Sequence, residues 1–296
     1  MASAIWGFAF VAQRKGNESM HPLLFNSLRF AIGALALLPF AIRKSKPSRP
    51  AKASWDMELI LLGFILFIAA SLQQIGMLWT GAGNAGFITG LYVVFVPLIG
   101  LFRGQKPAKF ILLAILFAVT GLWLINQNSS LDASFGNLLV LISAIFWASH
   151  VQMIDRLTTR YPSLRLAIWQ YGICATLSLL LWIITHILNI LPHHTAHPNF
   201  SAALHAGMIP VLYGGLGSVA IAYTLQLHAQ KKVAPAPASI ILCLEAVFAL
   251  FGGWLLLNEK LSLQSLGGAA ALFAAMLISV YSTQKKLSSQ PVSNHS

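Results

Sequence analysis

The stretch IILCLEAVFALFGGWLLL, from Ile240 to Leu257, is apolar or small at every position except Glu245. A helix needs roughly 20 such residues to cross the hydrocarbon core of a bilayer, and this run continues back to residue 236. It therefore predicts a membrane-spanning helix over 236–257. Glu245 lies roughly 14 Å into that helix at about 1.5 Å per residue. A carboxylate at that depth costs about 2.5 kcal/mol or more, so Glu245 is predicted to be paired, protonated or in water.

The composition of the whole chain is that of a membrane protein. Of its 296 residues, 57% are hydrophobic and 9% are charged, whereas average soluble domains carry about 25% charged residues. A soluble fold of this length could not cover so much apolar surface with polar groups. The two cysteines, Cys174 and Cys243, fall inside apolar runs and are predicted to act as small hydrophobes, with no disulfide framework. The sequence thus predicts an all-α integral membrane protein.

Ten segments are candidate membrane spans. Numbered 1 to 10 in chain order, they cover 1–17, 23–42, 59–79, 84–103, 109–126, 136–154, 165–189, 206–228, 236–257 and 264–283. The first is short, because only thirteen residues precede Arg14 and Lys15. Either span 1 locally thins the bilayer, or the true start of the helix lies upstream of Met1.

The basic residues fall mainly on one side of these spans. The other side holds only Arg14, Lys15 and Lys260. By the positive-inside rule this bias places both termini, including a polar tail over 285–296, in the cytoplasm. The net charge of +12 is therefore explained by topology in an inner (plasma) membrane, and a nucleic-acid partner is not predicted. The fifteen residues of the basic side are Arg43, Lys44, Lys46, Arg49, Lys52, Arg103, Lys106, Lys109, Arg156, Arg160, Arg165, Lys231, Lys232, Lys285 and Lys286.

Two parts of the chain repeat each other. SAIWGFAFVAQRKG (Ser3–Gly16) resembles SAIFWASHVQMIDR (Ser143–Arg156), and Pro22 and Pro162 share the same offset of 140 positions. This pattern predicts a five-span unit that occurs twice, over 1–131 and 132–284. Because five is odd, the second copy must enter the membrane from the opposite side. Inverted repeats of this kind usually place a substrate site near the midplane between the halves and work by alternating access.

The chain resembles the drug/metabolite transporter superfamily, in particular its EamA family. The resemblance is carried by SAIWGFAFVAQRKG in span 1, GFITGLYVVFVPL (Gly86–Leu98) in span 4 and APAPASIILCLEAVFALFGGWLLLNEKLS (Ala234–Ser262) across span 9. It implies ten helices in two inverted five-helix repeats. It further implies that spans 1, 3, 4, 6, 8 and 9 surround a central cavity, with spans 5 and 10 peripheral. Family members move small metabolites, including amino acids, nucleosides and drugs.

One position departs from the family pattern. The family often has Leu-Glu-Pro where this chain has Leu244-Glu245-Ala246. Because a proline kinks a helix, its loss predicts a straighter span 9.

Two charged residues are predicted deep in the spans, Glu245 in span 9 and Arg29 in span 2. Ala249 and Gly252 lie on the helix face of Glu245, and Gly33 lies on that of Arg29. Small residues favour close packing or a cavity over lipid. Two interpretations stay open: the charges are packing groups satisfied by each other or by carbonyls, or Glu245 takes part in proton coupling or binds a substrate amine.

Polar and aromatic residues in the spans around the implied cavity are candidate substrate contacts. Each alone is more often a contact between helices or an interfacial anchor than a ligand contact, but together they come from the spans that the family places around the cavity. An aromatic-rich midplane would suit an amphipathic or aromatic solute. The predicted substrate-binding residues are Trp6, Gln73, Gln74, Tyr92, Trp147, Tyr223 and Gln226.

Other chemistries find little support. His193, His194 and His197 lie in a short proline-bound loop and are predicted to be solvated, so no metal site is expected, and His150 is predicted to be structural. Phosphate-binding loops, His-Glu metal motifs and nucleophile elbows are absent from the sequence. No cofactor is therefore predicted.

These observations predict a secondary transporter of a small organic metabolite, such as an amino acid or an amphipathic compound, with export as the direction. Without an ATPase motif, coupling is to protons or to the solute gradient. A membrane-embedded enzyme is the first alternative, but it would need several convergent titratable groups, and only Glu245 and Arg29 are charged away from the ends of the spans. The second is a structural or channel-like subunit, with no saturable transport. The predicted partners are the substrate and the lipid bilayer, and the sequence does not indicate an oligomeric state.

Overall fold

A computed structural model describes residues 1–44, 57–126, 135–190, 200–257 and 261–288. Within those ranges the chain is helical and contains no strand. Spans 1 to 3 are single helices, Ala2–Ser19, Pro22–Lys44 and Met57–Gly76. So are spans 5, 6, 7 and 10, which cover Lys109–Asn126, Phe135–Thr158, Ser163–Leu188 and Leu263–Ser288. Spans 4, 8 and 9 are interrupted and are described below. The loop histidines 193, 194 and 197 and the tail from residue 289 lie outside the described residues.

The ten helical segments confirm the all-α membrane fold. Eight of them are long and apolar enough to cross a bilayer. Span 5 is apolar but shorter, and span 1 carries charges near its end. Contacts between span ends agree with alternating crossings: Glu58 at the start of span 3 pairs with Arg156 at the end of span 6 over 2.6 Å. At the opposite face, Thr80 after span 3 is hydrogen-bonded to Asn137 at the start of span 6.

The packing has the pseudo-two-fold symmetry expected of two inverted repeats. Span 1 packs on span 9, and the equivalent span 6 packs on span 4. Span 2 packs on its own counterpart, span 7, and span 5 packs on its counterpart, span 10. The outer face of span 5 exposes Leu112, Leu116 and Trp123, as expected for a peripheral helix in lipid. The symmetry axis therefore runs through the middle of the bundle.

Spans 4 and 9 are each divided by a short turn, and a straighter span 9 stays a prediction. Span 9 consists of Pro235–Leu242 and Glu245–Leu257, and span 4 of Ala82–Gly90 and Tyr92–Phe102. At each break a backbone N–H donates a hydrogen bond to the carbonyl three residues back instead of four. In span 9 the Leu244 N–H donates to the Ile241 carbonyl, and in span 4 the Leu91 N–H donates to the Ile88 carbonyl. Neither break contains a proline. Short tightened turns of this kind often mark hinges.

Span 8 is wound differently from the others. It runs from Phe200–Leu212 through an eleven-residue π-helix, Tyr213–Tyr223, to Thr224–Ala229. π-Helices occur mostly as single turns and are frequent at functional sites. Gly214 and Gly215 lie against the side chains of Arg29 and Ile32. Glycine is needed there because a β-carbon would meet span 2, so the π-helix lies directly on the helix that carries Arg29.

Candidate functional site

A central cavity of about 50 Å³ lies between the two repeats. Its walls come from spans 1, 3, 4, 6, 8 and 9, as the family resemblance implies, and also from span 2 through Arg29. The lining residues are Trp6, Phe10, Gln13, Arg29, Gln73, Thr89, Tyr92, Trp147, Val151, Ser218, Tyr223, Gln226, Leu242 and Glu245. The cavity brings together every residue predicted for the site except Gln74.

Glu245 is the first residue of the second half of span 9. Its side chain is only 5% exposed and is hydrogen-bonded to the hydroxyl of Tyr92. The carboxyl oxygen Oε1 has no partner among the described residues. Backbone N–H groups at the break are already bonded, those of Leu244, Ala246 and Val247 to the carbonyls three residues back. The Tyr92 hydroxyl is therefore the described group that holds the carboxyl.

Tyr92 and Glu245 are equivalent residues of the two repeats. Each begins the second half of a broken span, and they are 153 positions apart, as are Leu91 and Leu244. The two breaks touch, because the Cys243 thiol lies 3.5 Å from the carbonyl oxygen of Gly90, its equivalent. A β-carbon on Gly90 would meet Leu122 and Cys243, so glycine permits the close approach. Spans 4 and 9 thus cross at their breaks, and the Tyr92–Glu245 hydrogen bond lies across the symmetry axis.

Three aromatic side chains form one wall of the cavity. The ring of Tyr223 lies 4.7 Å from Trp6, edge to face, and 6.0 Å from Trp147, nearly parallel. The Trp6 indole N–H donates to the Ser218 carbonyl of the π-helix over 3.2 Å. Because Trp6 and Trp147 come from spans 1 and 6, the wall contains one tryptophan from each repeat.

Arg29 lies in the cavity wall without an acidic partner. Its Nε donates to Asn26 Oδ1 over 2.9 Å, and its guanidinium carbon lies 4.9 Å from the ring centroid of Phe30. No ion pair joins Arg29 to Glu245 in the described part of the chain. The cavity therefore holds two ionisable groups of opposite type that do not satisfy each other.

Comparison with known proteins identifies the family. The profile of the EamA-like transporter family matches residues 1–127 and again residues 134–281. The chain belongs to the EamA-like transporter family. It is therefore a multi-pass membrane transporter, and its family points away from an enzyme.

Relatives of this EamA-like transporter carry general names. An "Uncharacterized transporter" of Archaeoglobus fulgidus is 27% identical over 95% of this chain and 84% of the relative. The "Uncharacterized transporter YoaV" of Bacillus subtilis is 25% identical over 95% of both chains. The "Uncharacterized inner membrane transporter YedA" of Escherichia coli is 26% identical over 93% of this chain and 87% of the relative.

A solved crystal structure has the same fold as this EamA-like transporter. The TM-score is 0.72 at 17% identity, and the match covers 96% of this chain and 98% of that chain. At that identity the likeness concerns the fold alone.

The predicted glutamines of the transporter divide between the cavity and the packing. Gln73 lines the cavity and donates to Thr89 over 2.8 Å, and Gln226 lines it and donates to Gln230 over 2.8 Å. Gln74 does not line the cavity. Its amide donates to the Gln13 carbonyl and to Asn17 over 3.1 and 2.7 Å, so it ties span 3 to span 1.

Several lining residues of the EamA-like transporter were not predicted, namely Phe10, Gln13, Thr89, Val151, Ser218 and Leu242. An internal comparison of spans 3–4 with spans 8–9 pairs lining residues with each other. At an offset of 153 positions Gln73 aligns with Gln226, and Thr89 with Leu242. All four line the cavity, so the two repeats contribute lining residues at matching positions.

The described ranges contain no group of three histidine, cysteine or acidic residues that could hold a metal. His150 is buried and its Nε2 lies 2.7 Å from Gln170 Oε1, behind the aromatic wall. Both cysteines are free and buried.

Proposed function

We propose that this protein is a secondary transporter that exports a small amphipathic metabolite bearing both an amine and a carboxylate, such as an amino acid, by alternating access. The observation that carries the proposal is the central cavity on the symmetry axis, in which Glu245 and Arg29 are both present and unpaired with each other. Charged groups inside membrane proteins are costly and usually mark substrate or ion pathways.

A zwitterionic substrate would satisfy both groups. Its ammonium group would donate to the unpartnered Oε1 of Glu245, and its carboxylate would accept from the planar guanidinium of Arg29, which suits carboxylates. The apolar part of the substrate would lie against Trp6 and Trp147. A substrate with one charge would leave the other ionisable group without a counter-charge.

The size of the cavity supports an alternating-access cycle. About 50 Å³ is small compared with the roughly 300–1,000 Å³ of sites that hold small molecules. The cavity must therefore widen before a metabolite enters. Spans 4 and 9 cross at their breaks and both line the cavity. A movement of the helices at this crossing would widen the cavity on both sides.

The driving force would come from an ion or solute gradient. Among the described residues Glu245 is the only acidic one that lines the cavity, and protonation removes most of the cost of carrying a carboxyl through a closed state. Proton entry would then drive substrate exit. This direction rests on both termini being cytoplasmic, as the loop charges predict.

Counterflow in proteoliposomes tests the proposal. The purified protein is reconstituted and uptake of labelled L-leucine is measured against internal L-leucine, with N-acetyl-L-leucine and L-leucinamide as matched analogues that lack one charge each. We expect saturable counterflow of L-leucine and at least about tenfold less of each analogue, because a buried charge without its partner costs several kcal/mol. Equal counterflow of the three, or none of any amino acid in a wider panel, would contradict the proposal.

A further inference from the structure

We propose that a second, uncharged pocket lies behind Tyr223 and binds a hydrogen-bonding end group of the substrate, a carboxamide or a hydroxyl. When open, the pocket would be lined by Trp147, His150, Gln170, Tyr171, Thr224 and Gln226, from spans 6, 7 and 8. This inference rests on the proposed transport of a zwitterionic metabolite and names the part of the substrate that the charges do not bind.

The side chains of this pocket are grouped around Tyr223. The Tyr223 ring centroid lies 6.2 Å from that of His150 and 6.0 Å from that of Tyr171. His150 and Gln170 are joined at 2.7 Å, and the Tyr171 hydroxyl is directed at Thr224 and Gln170. His150, Gln170 and Tyr171 are at most 1% exposed. The group is thus a single buried cluster.

The cluster has hydrogen-bonding capacity that the protein does not use. The atoms without an ordinary hydrogen bond are Trp147 Nε1, His150 Nδ1, Gln170 Nε2, Tyr171 OH, Thr224 Oγ1 and Gln226 Oε1. Most buried polar atoms in proteins have a partner, and each orphan calls for an explanation. Tyr171 OH, Thr224 Oγ1 and Gln170 Nε2 face one another, so His150 Nδ1, Trp147 Nε1 and Gln226 Oε1 are the atoms left without a partner in reach. These three orphans indicate a site for a polar group rather than isolated packing defects.

The chemistry of the orphans defines the ligand. Gln170 Oε1 can only accept, so the hydrogen bond to His150 is donated by His150 Nε2, which leaves Nδ1 as an acceptor. The Trp147 indole offers an N–H donor, and Gln226 Oε1 offers another acceptor. A carboxamide or hydroxyl both donates and accepts, whereas a carboxylate could not satisfy the acceptors and an ammonium group could not satisfy the donor.

The pocket adjoins the central cavity. Trp147, Tyr223 and Gln226 line the cavity, while His150, Gln170 and Tyr171 lie one side chain further back. Tyr223 is the last residue of the π-helix and separates the two regions. A change of winding in span 8 would turn the Tyr223 ring and join the pocket to the cavity, which would supply part of the volume that a metabolite needs.

Counterflow of isosteric pairs tests the ligand class. The pairs are L-asparagine with L-leucine and L-threonine with L-valine, which differ in hydrogen bonding more than in shape. We expect the wild type to prefer the polar member by about tenfold, since leaving buried polar groups unpaired costs about 1–3 kcal/mol. Gln170→Leu should lose that preference and keep transport of the apolar member, while Ser178→Ala, buried further along span 7, should retain it.

Three results of that experiment would overturn the inference. If the wild type has no preference, or if Gln170→Leu keeps it, the pocket does not bind the end group, and the proposed transporter of zwitterions is unaffected. If none of the four amino acids is transported, the proposed substrate class is wrong, and so is the proposed ligand class of the pocket.

A labelling experiment tests access to the pocket without any substrate and does not depend on how Gln170→Leu folds. Thr224→Cys is expected to react with the membrane-permeant reagent methyl methanethiosulfonate well above the wild type, whose Cys174 and Cys243 are both buried. Ser178→Cys, outside the pocket, is expected to stay at the wild-type level. Labelling of Thr224→Cys at or below the level of Ser178→Cys would show that the pocket never opens and would overturn the inference.

Discussion

Tyr92 donates the hydrogen bond that holds one oxygen of Glu245. Tyr92→Phe removes only the hydroxyl and leaves the carboxyl without a partner in the protein. Because an unsatisfied buried polar group costs about 1–3 kcal/mol, and about 1.4 kcal/mol is tenfold in rate, we expect counterflow to fall roughly tenfold or more. Proteoliposome counterflow measures the loss.

Tyr213→Phe is the matched control for that prediction. The Tyr213 hydroxyl also donates a hydrogen bond, to the Ile5 carbonyl over 2.9 Å, but Tyr213 does not line the cavity. Its loss should leave counterflow near the wild-type rate. An equal effect of the two substitutions would show that the Tyr92 hydroxyl matters only for packing.

The sequence predicts site residues best where their chemistry is out of place in a membrane. Glu245, Arg29 and Gln73 attract notice because polar groups inside spans are costly, and all three line the cavity. Leu242 and Val151 also line it, but the same residue types face lipid elsewhere, so their chemistry carries no signal. The absence of an Arg29–Glu245 pair depends on how spans 2 and 9 are placed in three dimensions, which no local pattern contains.

At the scale of the helices, Gly7 sets the distance between span 1 and the first turn after the break in span 9. A β-carbon at Gly7 would come within 2.7 Å of the Glu245 carbonyl oxygen and 2.8 Å of the Ala249 nitrogen. Backbone atoms cannot rotate away as a side chain does. Gly7→Ala is therefore expected to destabilise the protein by about 1–3 kcal/mol, measured by thermal unfolding in detergent.

Gly172→Ala provides the comparison, since Gly172 also lies inside a helix but has nothing within 4 Å of an added β-carbon. Alanine should be neutral there or stabilising by about 0.4–1 kcal/mol, because it reduces the freedom of the unfolded chain. If Gly7→Ala unfolds at the same temperature as Gly172→Ala, spans 1 and 9 are not as close as described.

The helices themselves could be predicted from apolar length, but their interruptions could not. Neither Leu91 nor Leu244 is a residue that breaks helices, and Pro97 and Pro210 lie inside helical segments of interrupted spans, while Pro39 lies in a continuous helix. The breaks lie where spans 4 and 9 cross at Gly90 and Cys243, which is a tertiary contact. The π-helix of span 8 likewise depends on its packing against span 2.

At the scale of the whole molecule, the orientation in the membrane follows from the loop charges. Thr159, between spans 6 and 7, and Ile190, after span 7, are both exposed and lie at opposite faces. An impermeant thiol reagent added to intact cells should label Ile190→Cys and leave Thr159→Cys unlabelled until the cells are opened. The natural cysteines are buried and set a low background. Labelling of Thr159→Cys in intact cells would contradict cytoplasmic termini.

The central claim is that the carboxyl of Glu245, held on the symmetry axis of the bundle, couples substrate movement to protons. Glu245→Gln keeps the shape and the hydrogen-bonding capacity of the side chain and removes its titration. The comparison is with Glu58→Gln, which neutralises an acidic residue at the membrane face, where Glu58 pairs with Arg156 and Arg160.

The most direct measurement uses proteoliposomes and the amino acid that gives counterflow. On one preparation, uphill accumulation is recorded with an imposed pH gradient, and exchange is recorded at equal pH. We expect Glu245→Gln to lose pH-driven accumulation entirely and to retain only a reduced exchange that no longer varies with pH, because the substrate ammonium loses its counter-charge, and we expect Glu58→Gln to keep both activities. Accumulation by Glu245→Gln at the wild-type rate and with the wild-type pH profile would contradict the claim and leave Glu245 as a packing group.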